Sequence, residues 1–223
     1  MLSILLPTYN ESENIGLVIE AIEKAVPAPH EIIVIDDGSP DGTARVVKGL
    51  MGRFPSLRLL ERGGKLGLTS AIAAGVSASK GEAILVMDAD LSHPPSAIPA
   101  MASALADSGL AVGSRLIEGG GVQSWPLHRR LISLCAGILC SLLLNPRCSD
   151  PLSGFFAVRK DVFLRTRIRT RGYKILMNII ADNRGIRISE VPYVFRDRHA
   201  GKTKLGSKEI VTYLGDLYRV AFC

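Results

Sequence analysis

The stretch AILVMDADLSHPP, residues 83–95, carries the pattern in this chain that most directly suggests chemistry. An apolar run long enough for a buried strand leads straight into Asp88 and Asp90, which one residue separates. Neighbouring carboxylates are costly to bury unless a cation neutralises them, and Mg²⁺ and Mn²⁺ are held by oxygens of carboxylates and substrate phosphates. The pattern therefore indicates a metal–diphosphate site. A solvated loop whose carboxylates cap a helix is an equally good interpretation of these residues alone.

The elements that would position this stretch alternate between strands and helices. Short apolar runs predict strands over residues 2–6, 32–35, 57–60, 83–87 and 110–112. Helical spacing or alanine-rich composition predicts helices over residues 13–26, 40–51, 67–79 and 96–106. This alternation is typical of an α/β fold in which helices cover both faces of a mainly parallel sheet.

Most of the acidic features follow directly after predicted strands. They are Glu11, Asp36, Asp37, Asp88 and Asp90. Ligands of open α/β sheets bind beyond the carboxyl ends of the strands, so these side chains are expected along the ligand-binding edge. A stable core does not require acidic side chains at this edge, whereas the binding of a nucleotide with a metal-bound diphosphate would explain them.

Composition narrows the class of protein. The length of 223 residues fits one domain, and a hydrophobic fraction of 47% is enough for a sizeable core. The formal charge of +6 favours an anionic partner such as a phosphate or a lipid surface. No aromatic-interleaved basic motif supports nucleic acid. The four cysteines lack metal-ligand spacing and favour free thiols in a reducing compartment, and the first residues lack a secretory signal.

The glycine-rich segment 63–67, GGKLG, precedes a predicted helix. It matches neither of the phosphate-binding patterns G-x-x-x-x-G-K-[ST] and G-x-G-x-x-G. A flexible turn that leads into a helix is at least as good an interpretation, although Lys65 could meet a phosphate there.

Four motifs occur in order along the first half: LPTYNESENI, IVIDDGSPDGT, RGGKLGLTSAIAAG and VMDADLSHPP. Together they resemble the nucleotide-sugar domain of the family 2 glycosyltransferases, whose fold is called GT-A. The resemblance implies a single domain with a nucleotide-sugar half over residues 1–115 and an acceptor half over residues 116–223. The positions that it assigns to the nucleotide are Pro7, Tyr9, Glu11, Ile35, Asp37, Asp88, Ala89 and Asp90.

Three further motifs extend the resemblance to nearly the whole chain: GGGVQSWPLHRRLIS, SDPLSGFFAVRKDVF and VPYVFRDRHAGKTKL. They are similar to the dolichyl- and polyprenyl-phosphate mannose synthases of family 2. The resemblance implies an inverting transfer of mannose from GDP-mannose to a dolichyl or polyprenyl phosphate. The phosphate of that lipid is then expected to meet Arg115, Arg129 and Ser133.

The same resemblance assigns a loop that closes over the nucleotide diphosphate. Its pattern R-x-x-G-x-S-K corresponds to Arg198, Gly201, Thr203 and Lys204, with threonine in the place of serine. The exchange keeps the hydroxyl group, so Arg198 and Lys204 are expected to bind the diphosphate. The residues that the resemblance places in the catalytic machinery are Asp90, Arg115, Arg129, Ser133 and Arg198.

The resemblance also implies Mg²⁺ or Mn²⁺, with Asp88, Asp90 and Ser92 as the metal-binding positions. The family usually has glutamine where this chain has Ser92. Serine is shorter, so this residue is expected to reach the ion only through water. His93 is expected to be a hydrogen-bonding residue of the loop and not a ligand.

Residues 131–144 form an apolar run that follows Arg129 and Arg130, with Trp125 just before them. Aromatic and cationic residues beside an apolar helix suit a membrane interface, although a buried core helix is a serious alternative. We expect interfacial helices over about 129–144 and 208–222, with Leu139 and Leu143 facing the lipid. The expected location is peripheral, on the cytoplasmic face of a membrane. A membrane-anchoring subunit or transmembrane segments missing from this chain are expected further partners.

Two other functions stay open at this point. One is the transfer of glucose from UDP-glucose to the same kind of lipid phosphate. The other is a non-catalytic module that binds a nucleotide or a lipid. The presence of Asp88, Asp90 and Arg198 favours an enzyme over that module.

Overall fold

The computed structural model of the chain describes residues 1–123, 125–170, 172, 174–196 and 207–223. The strands in these residues are β1 Leu2–Thr8, β2 His30–Asp36, β3 Leu57–Glu61, β4 Ala83–Val86, β5 Leu110–Ser114, β6 Gly121–Val122, β7 Phe156–Arg159, β8 Ile188–Pro192 and β9 Val194–Phe195. The helices are α1 Ile15–Ala25, α2 Thr43–Leu50, α3 Leu68–Ala78, α4 Ile98–Ala104, α5 Leu127–Leu144, α6 Lys160–Leu164, α7 Ile175–Asp182 and α8 Ser207–Phe222, and a 3₁₀ turn at Pro95–Ala97 precedes α4.

The main sheet has the strand order β3-β2-β1-β4-β7-β5-β8. All neighbouring strands are parallel except those that flank β7, which is antiparallel to both β4 and β5. One apolar cluster packs α1 and α4 against one face of the sheet, and a second packs α3 and α7 against the other. The predicted α/β architecture with a mainly parallel, doubly covered sheet is therefore confirmed.

Strand β7 lies between two strands of the first half although it follows both of them in the chain. The sequence analysis missed this strand, because its four residues carry no alternation and lead directly into α6. Its position means that residues beyond 115 complete the sheet that carries the nucleotide-sugar half. Residue 115 is therefore not a boundary between separately folded parts of the sheet.

The sequence also predicts one strand over residues 186–195, and the structure shows that this prediction is wrong. Strand β8 joins the main sheet and ends at Pro192, whereas β9 pairs with β6 in a separate two-stranded sheet. Proline has no backbone N–H to continue the ladder, and the buried Tyr193 follows it at the bend. The bend directs Phe195 towards Trp125, where the two rings lie 5.2 Å apart in an edge-to-face arrangement.

Helix α5 is exposed along most of its length, and its buried residues are Cys140 and Leu144. These residues and Leu139 pack with α8 and α7 in a third apolar cluster, and the Tyr213 hydroxyl donates to the Ala136 carbonyl at 2.7 Å. The two helices therefore pack against each other, and Leu139, which was expected to face the lipid, instead packs in this cluster. In the described part of the chain, α5 is the one helix that is long and apolar enough to cross a membrane.

Candidate active site

The loop after β4 presents two carboxylates in different environments. Asp90 is buried, with 2% of its surface exposed, whereas the Asp88 side chain is 40% exposed. The Ser92 N–H donates to Asp90 Oδ1 at 3.1 Å, and Leu91 between them has a φ of +63°. A left-handed conformation is uncommon for a residue other than glycine, so the loop carries local strain to hold this turn. Ala89 is buried in the core between the two carboxylates.

His93 is buried under this loop and contacts both the loop backbone and the core. Its Nδ1 accepts a hydrogen bond from the Asp88 N–H at 3.0 Å, and its ring stacks on Phe155 with centroids 5.1 Å apart. An accepting Nδ1 requires the neutral ring. Burial lowers the pKa of His93, although the charges of Asp88 and Asp90 act in the opposite direction. The prediction of a hydrogen-bonding residue of the loop is confirmed.

Ser92 tests whether a divalent cation fits this loop. Its hydroxyl is fully buried beside Asp90 and has no hydrogen-bond partner among the described residues. Such an oxygen is costly to leave unpaired, and a water or an ion next to Asp90 would satisfy it. The described residues contain no group of three acidic, histidine or cysteine ligands, so a bound ion would take further ligands from a diphosphate. This is the usual situation of Mg²⁺, and the residues fit it.

The first two strands supply the positions assigned to the nucleotide. Pro7 and Ile35 are register partners near the carboxyl ends of β1 and β2. Pro7 is partly exposed, but Ile35 is fully buried and packs beneath α3 at Gly75, so its side chain lies in the core. Tyr9 and Glu11 follow in the next loop, both partly exposed, and the Lys65 ammonium lies 4.3 Å from the Tyr9 ring centroid.

Asp37 is engaged by the protein itself. Its Oδ2 accepts the Leu66 and Gly67 N–H groups, each at 3.0 Å, and its Oδ1 lies 3.1 Å from the Arg62 guanidinium. The carboxylate therefore already accepts the backbone N–H groups before α3 that a phosphate would need as donors. This arrangement favours a turn that leads into a helix as the role of the glycine-rich segment, and it makes Asp37 the anchor of that turn.

Arg115 at the end of β5 forms a bidentate ion pair with Asp150. Both nitrogen–oxygen distances are 2.7 Å, and the Arg115 N–H also donates to Asp150 at 3.1 Å. Burial opposes the charge of this arginine, but the hydrogen bonds and charge of Asp150 outweigh it and raise the pKa of Arg115. Two residues earlier, Gly113 allows Phe155 to pack directly against β5, because a Cβ there would lie 2.7 Å from the Phe155 ring. The pair fixes the guanidinium in one orientation.

Trp125 brings the two predicted acceptor arginines together. Its ring centroid lies 4.0 Å from the Arg129 guanidinium carbon and 5.6 Å from that of Arg115. Ser133 lies one helical turn after Arg129 on the same face of α5, and both are partly exposed. Phe195 contacts both Trp125 and His93, so the cluster of Arg115, Trp125 and Arg129 packs against the Asp88–Asp90 loop through Phe195.

Two predicted site residues, Arg198 and Lys204, lie outside the described residues, together with Gly201 and Thr203. The sequence analysis missed two others near the site, Asp150 and Lys174. Asp150 stands in a motif that supported the family resemblance, but only its contact with Arg115 shows a role. No signal in the sequence marks Lys174, whose place depends on the packing of α7.

Relatives with curated names match nearly the whole chain. The dolichol-phosphate mannosyltransferase of Pyrococcus furiosus is 39% identical over 98% of this chain, which spans 63% of that protein's length. Those of Mycosarcoma maydis and Saccharomyces cerevisiae are each 34% identical, over 99% and 96% of this chain and 80% and 85% of their own lengths.

Solved structures show the same fold. Glucosyl-3-phosphoglycerate synthase of Mycobacterium tuberculosis, solved with Mn²⁺, UDP and glucosyl-3-phosphoglycerate, superposes with a TM-score of 0.74 and 20% identity. The match covers 99% of this chain and 80% of that one. The model of the family "Glycosyl transferase family 2" matches residues 3–166, which include the Asp88–Asp90 loop, Arg115 and Arg129. The chain belongs to glycosyltransferase family 2.

Proposed function

We propose that this chain transfers mannose from GDP-mannose to dolichyl phosphate or another polyprenyl phosphate, with inversion at the sugar. The names of its relatives support this choice of acceptor. The observation that carries it is the pair of guanidinium groups around Trp125, packed through Phe195 against the Asp88–Asp90 loop. The arginines around Trp125 suit the acceptor phosphate, and the Asp88–Asp90 loop suits the metal-bound diphosphate of the donor. A transfer of mannose from the donor to the acceptor requires both sites next to each other.

The acceptor side needs to position its substrate more than to activate it. A phosphate monoester has a second pKa near ~6 and is already largely dianionic at neutral pH. Asp150 fixes Arg115 while leaving other N–H groups of its guanidinium available to an oxyanion. Arg129 and Ser133 would complete the cradle from α5. A phosphate oxygen held there can attack the anomeric carbon in a direct displacement.

The donor side must stabilise the charge that develops on the leaving GDP. Asp88, Asp90 and, through water, Ser92 would hold a divalent cation, either Mg²⁺ or Mn²⁺, which supplies Lewis-acid neutralisation of the diphosphate. Tyr9 and Glu11 would contact the nucleoside beyond the strand ends. Arg198 and Lys204 are proposed to close over the diphosphate.

Calorimetry with GDP and UDP, with and without Mn²⁺, tests the proposed donor. We expect GDP to bind more tightly than UDP and the ion to strengthen its binding, because the diphosphate supplies the ligands that the loop lacks. Incubation with GDP-mannose and a polyprenyl phosphate should then release GDP. Tighter binding of UDP would favour the glucose-transfer alternative. Nucleotide binding without any transfer would favour a non-catalytic module.

The exposed faces of α5 and α8 support a peripheral position on a membrane. On α5, Leu134, Ile138 and Leu142 are 52%, 52% and 76% exposed on one face. On α8, Val211 and Phe222 are exposed as well. A polyprenyl chain cannot leave a bilayer cheaply, because each CH₂ exposed to water costs about 0.8 kcal/mol. A helix that lies flat would place the arginines at the headgroup level of the proposed cytoplasmic face.

We expect the double variant Ile138→Asp/Leu142→Asp to lose binding to anionic liposomes in a sedimentation assay. Each exposed side chain would forfeit about 1.5–3 kcal/mol of burial in the interface. Affinity for GDP and thermal stability should stay unchanged, because both side chains face outwards. The control Leu164→Asp/Ile168→Asp adds the same charges at exposed residues away from α5 and should still bind. Unfolding of the first variant, or equal loss in the control, would contradict the proposed interface.

A further inference from the structure

Lys174 stands directly before α7 and reaches the segment that holds Arg115. Its Nζ donates to the Leu152 carbonyl at 2.7 Å, two residues after Asp150, which clamps Arg115. Pro151 between them restricts the backbone, since its ring fixes φ. The short segment 150–152 therefore contacts two cations, Arg115 through Asp150 and Lys174 through Leu152.

Among the residues that the structure describes, the charge of Lys174 has no direct counter-ion. No carboxylate oxygen of the described residues lies within 4.0 Å of its Nζ. The side chain keeps some contact with solvent, whereas protein surrounds its ammonium. Burial lowers the pKa of Lys174 to about 8, and the charge of Arg115 acts in the same direction, against Asp150 and Asp88. A buried ammonium beside a guanidinium is unfavourable unless an anion enters the same space.

A purely structural role does not account for this cost. A neutral donor would tether the Leu152 carbonyl as well as an ammonium does, without placing a second positive charge beside Arg115. Lys160 offers a comparison in the same chain: its Nζ donates to the Ser79 carbonyl at 2.6 Å at the amino end of β4, away from the candidate site. The distinguishing feature of Lys174 is its closeness to Arg115 and Asp150.

We propose that the Lys174 ammonium is a further cation of the acceptor site and binds an oxygen of the lipid phosphate beside Arg115. The proposal rests on the proposed function. The acceptor phosphate is preferred over the donor diphosphate because Lys174 Nζ donates to the Leu152 carbonyl, two residues from the Asp150 that holds Arg115. A dianionic acceptor phosphate would then be contacted by Arg115, which Asp150 holds in place, and by the Lys174 ammonium.

The test compares Lys174→Met, Lys174→Arg and the control Lys160→Met. We expect Lys174→Met to raise the KM for polyprenyl phosphate about tenfold or more, the scale of one lost charge-assisted hydrogen bond. Affinity for GDP-mannose, measured by calorimetry, should change less than about twofold, since the donor is bound by other groups. Lys174→Arg should keep part of the acceptor affinity, and Lys160→Met should resemble the unchanged chain.

Direct titration of a soluble short-chain prenyl phosphate separates this proposal from the proposed function. If the unchanged chain binds the phosphate but transfers no mannose, the proposed function fails, and a loss of binding in Lys174→Met still supports the residue's role. Lower thermal stability with unchanged phosphate binding would show a tether only and overturn the proposal. An equal loss of GDP-mannose affinity would assign the ammonium to the donor and also overturn it.

Discussion

Asp90→Ala is expected to reduce mannose transfer about 100-fold or more and to remove the gain in GDP affinity that Mg²⁺ or Mn²⁺ provides. Asp90 is almost fully buried, and the unpaired Ser92 hydroxyl lies beside it. Without this carboxylate, Asp88 alone would face the diphosphate. GDP titrations with the ion and with EDTA, together with initial rates of transfer, measure both effects.

The isosteric Asp90→Asn separates charge from geometry. The amide oxygen can still accept the Ser92 N–H bond that holds the turn, so the fold of the loop should persist while the anion is lost. Asp107→Ala removes an exposed carboxylate elsewhere and serves as the control. We expect the ion to leave the affinity of Asp90→Asn for GDP unchanged and to raise that of the unchanged chain. If the ion does not raise the GDP affinity of the unchanged chain either, the proposed metal site is wrong.

Local patterns were sufficient to predict the strands and helices of the first half. The strands β1, β2, β4 and β5 are largely buried, whereas β3 is mostly half-buried, and the apolar residues of each mark its bounds to within two residues. The helices between them keep regular spacing. The acidic edge followed from the general position of ligands at strand ends. Each motif is a short local pattern, and the order of the motifs along the chain indicated the family.

Non-local packing accounts for what the sequence analysis missed. Strand β7 shows no alternation and leads directly into α6, so no turn marks its end. Helix α7 is buried on nearly all sides and so lacks an amphipathic pattern. Asp37 binds amides of the glycine-rich turn, and Asp150 binds Arg115. Each contact joins residues about 30 positions or more apart, and spacing along the sequence does not predict such contacts. The bend at Tyr193 depends on β5 and β6 both being in place.

Arg129→Ala is expected to reduce transfer about 100-fold or more while affinity for GDP-mannose stays near that of the unchanged chain. The guanidinium stacks on Trp125 at 4.0 Å, and the same ring lies 5.6 Å from Arg115. Arg115 ends β5, which β4 and β7 separate from the strands β1 and β2 that carry positions assigned to the nucleotide. The loss of the Arg129 guanidinium would remove one of the cations that orient the acceptor phosphate for attack. Transfer assays over a range of polyprenyl phosphate concentrations and calorimetry with GDP-mannose measure the two quantities separately.

Two further variants on α5 show whether transfer depends on the position and shape of the Arg129 side chain or only on positive charge. Arg129→Lys keeps the positive charge but loses the planar group that stacks on Trp125, so it should restore only part of the activity. Arg130→Ala removes the neighbouring exposed arginine, which donates to the Val122 carbonyl, and should change transfer little. A loss of donor affinity in Arg129→Ala as large as the loss of transfer would place this arginine on the donor. The phosphate cradle would then have to be sought around Arg115 and Asp150 alone.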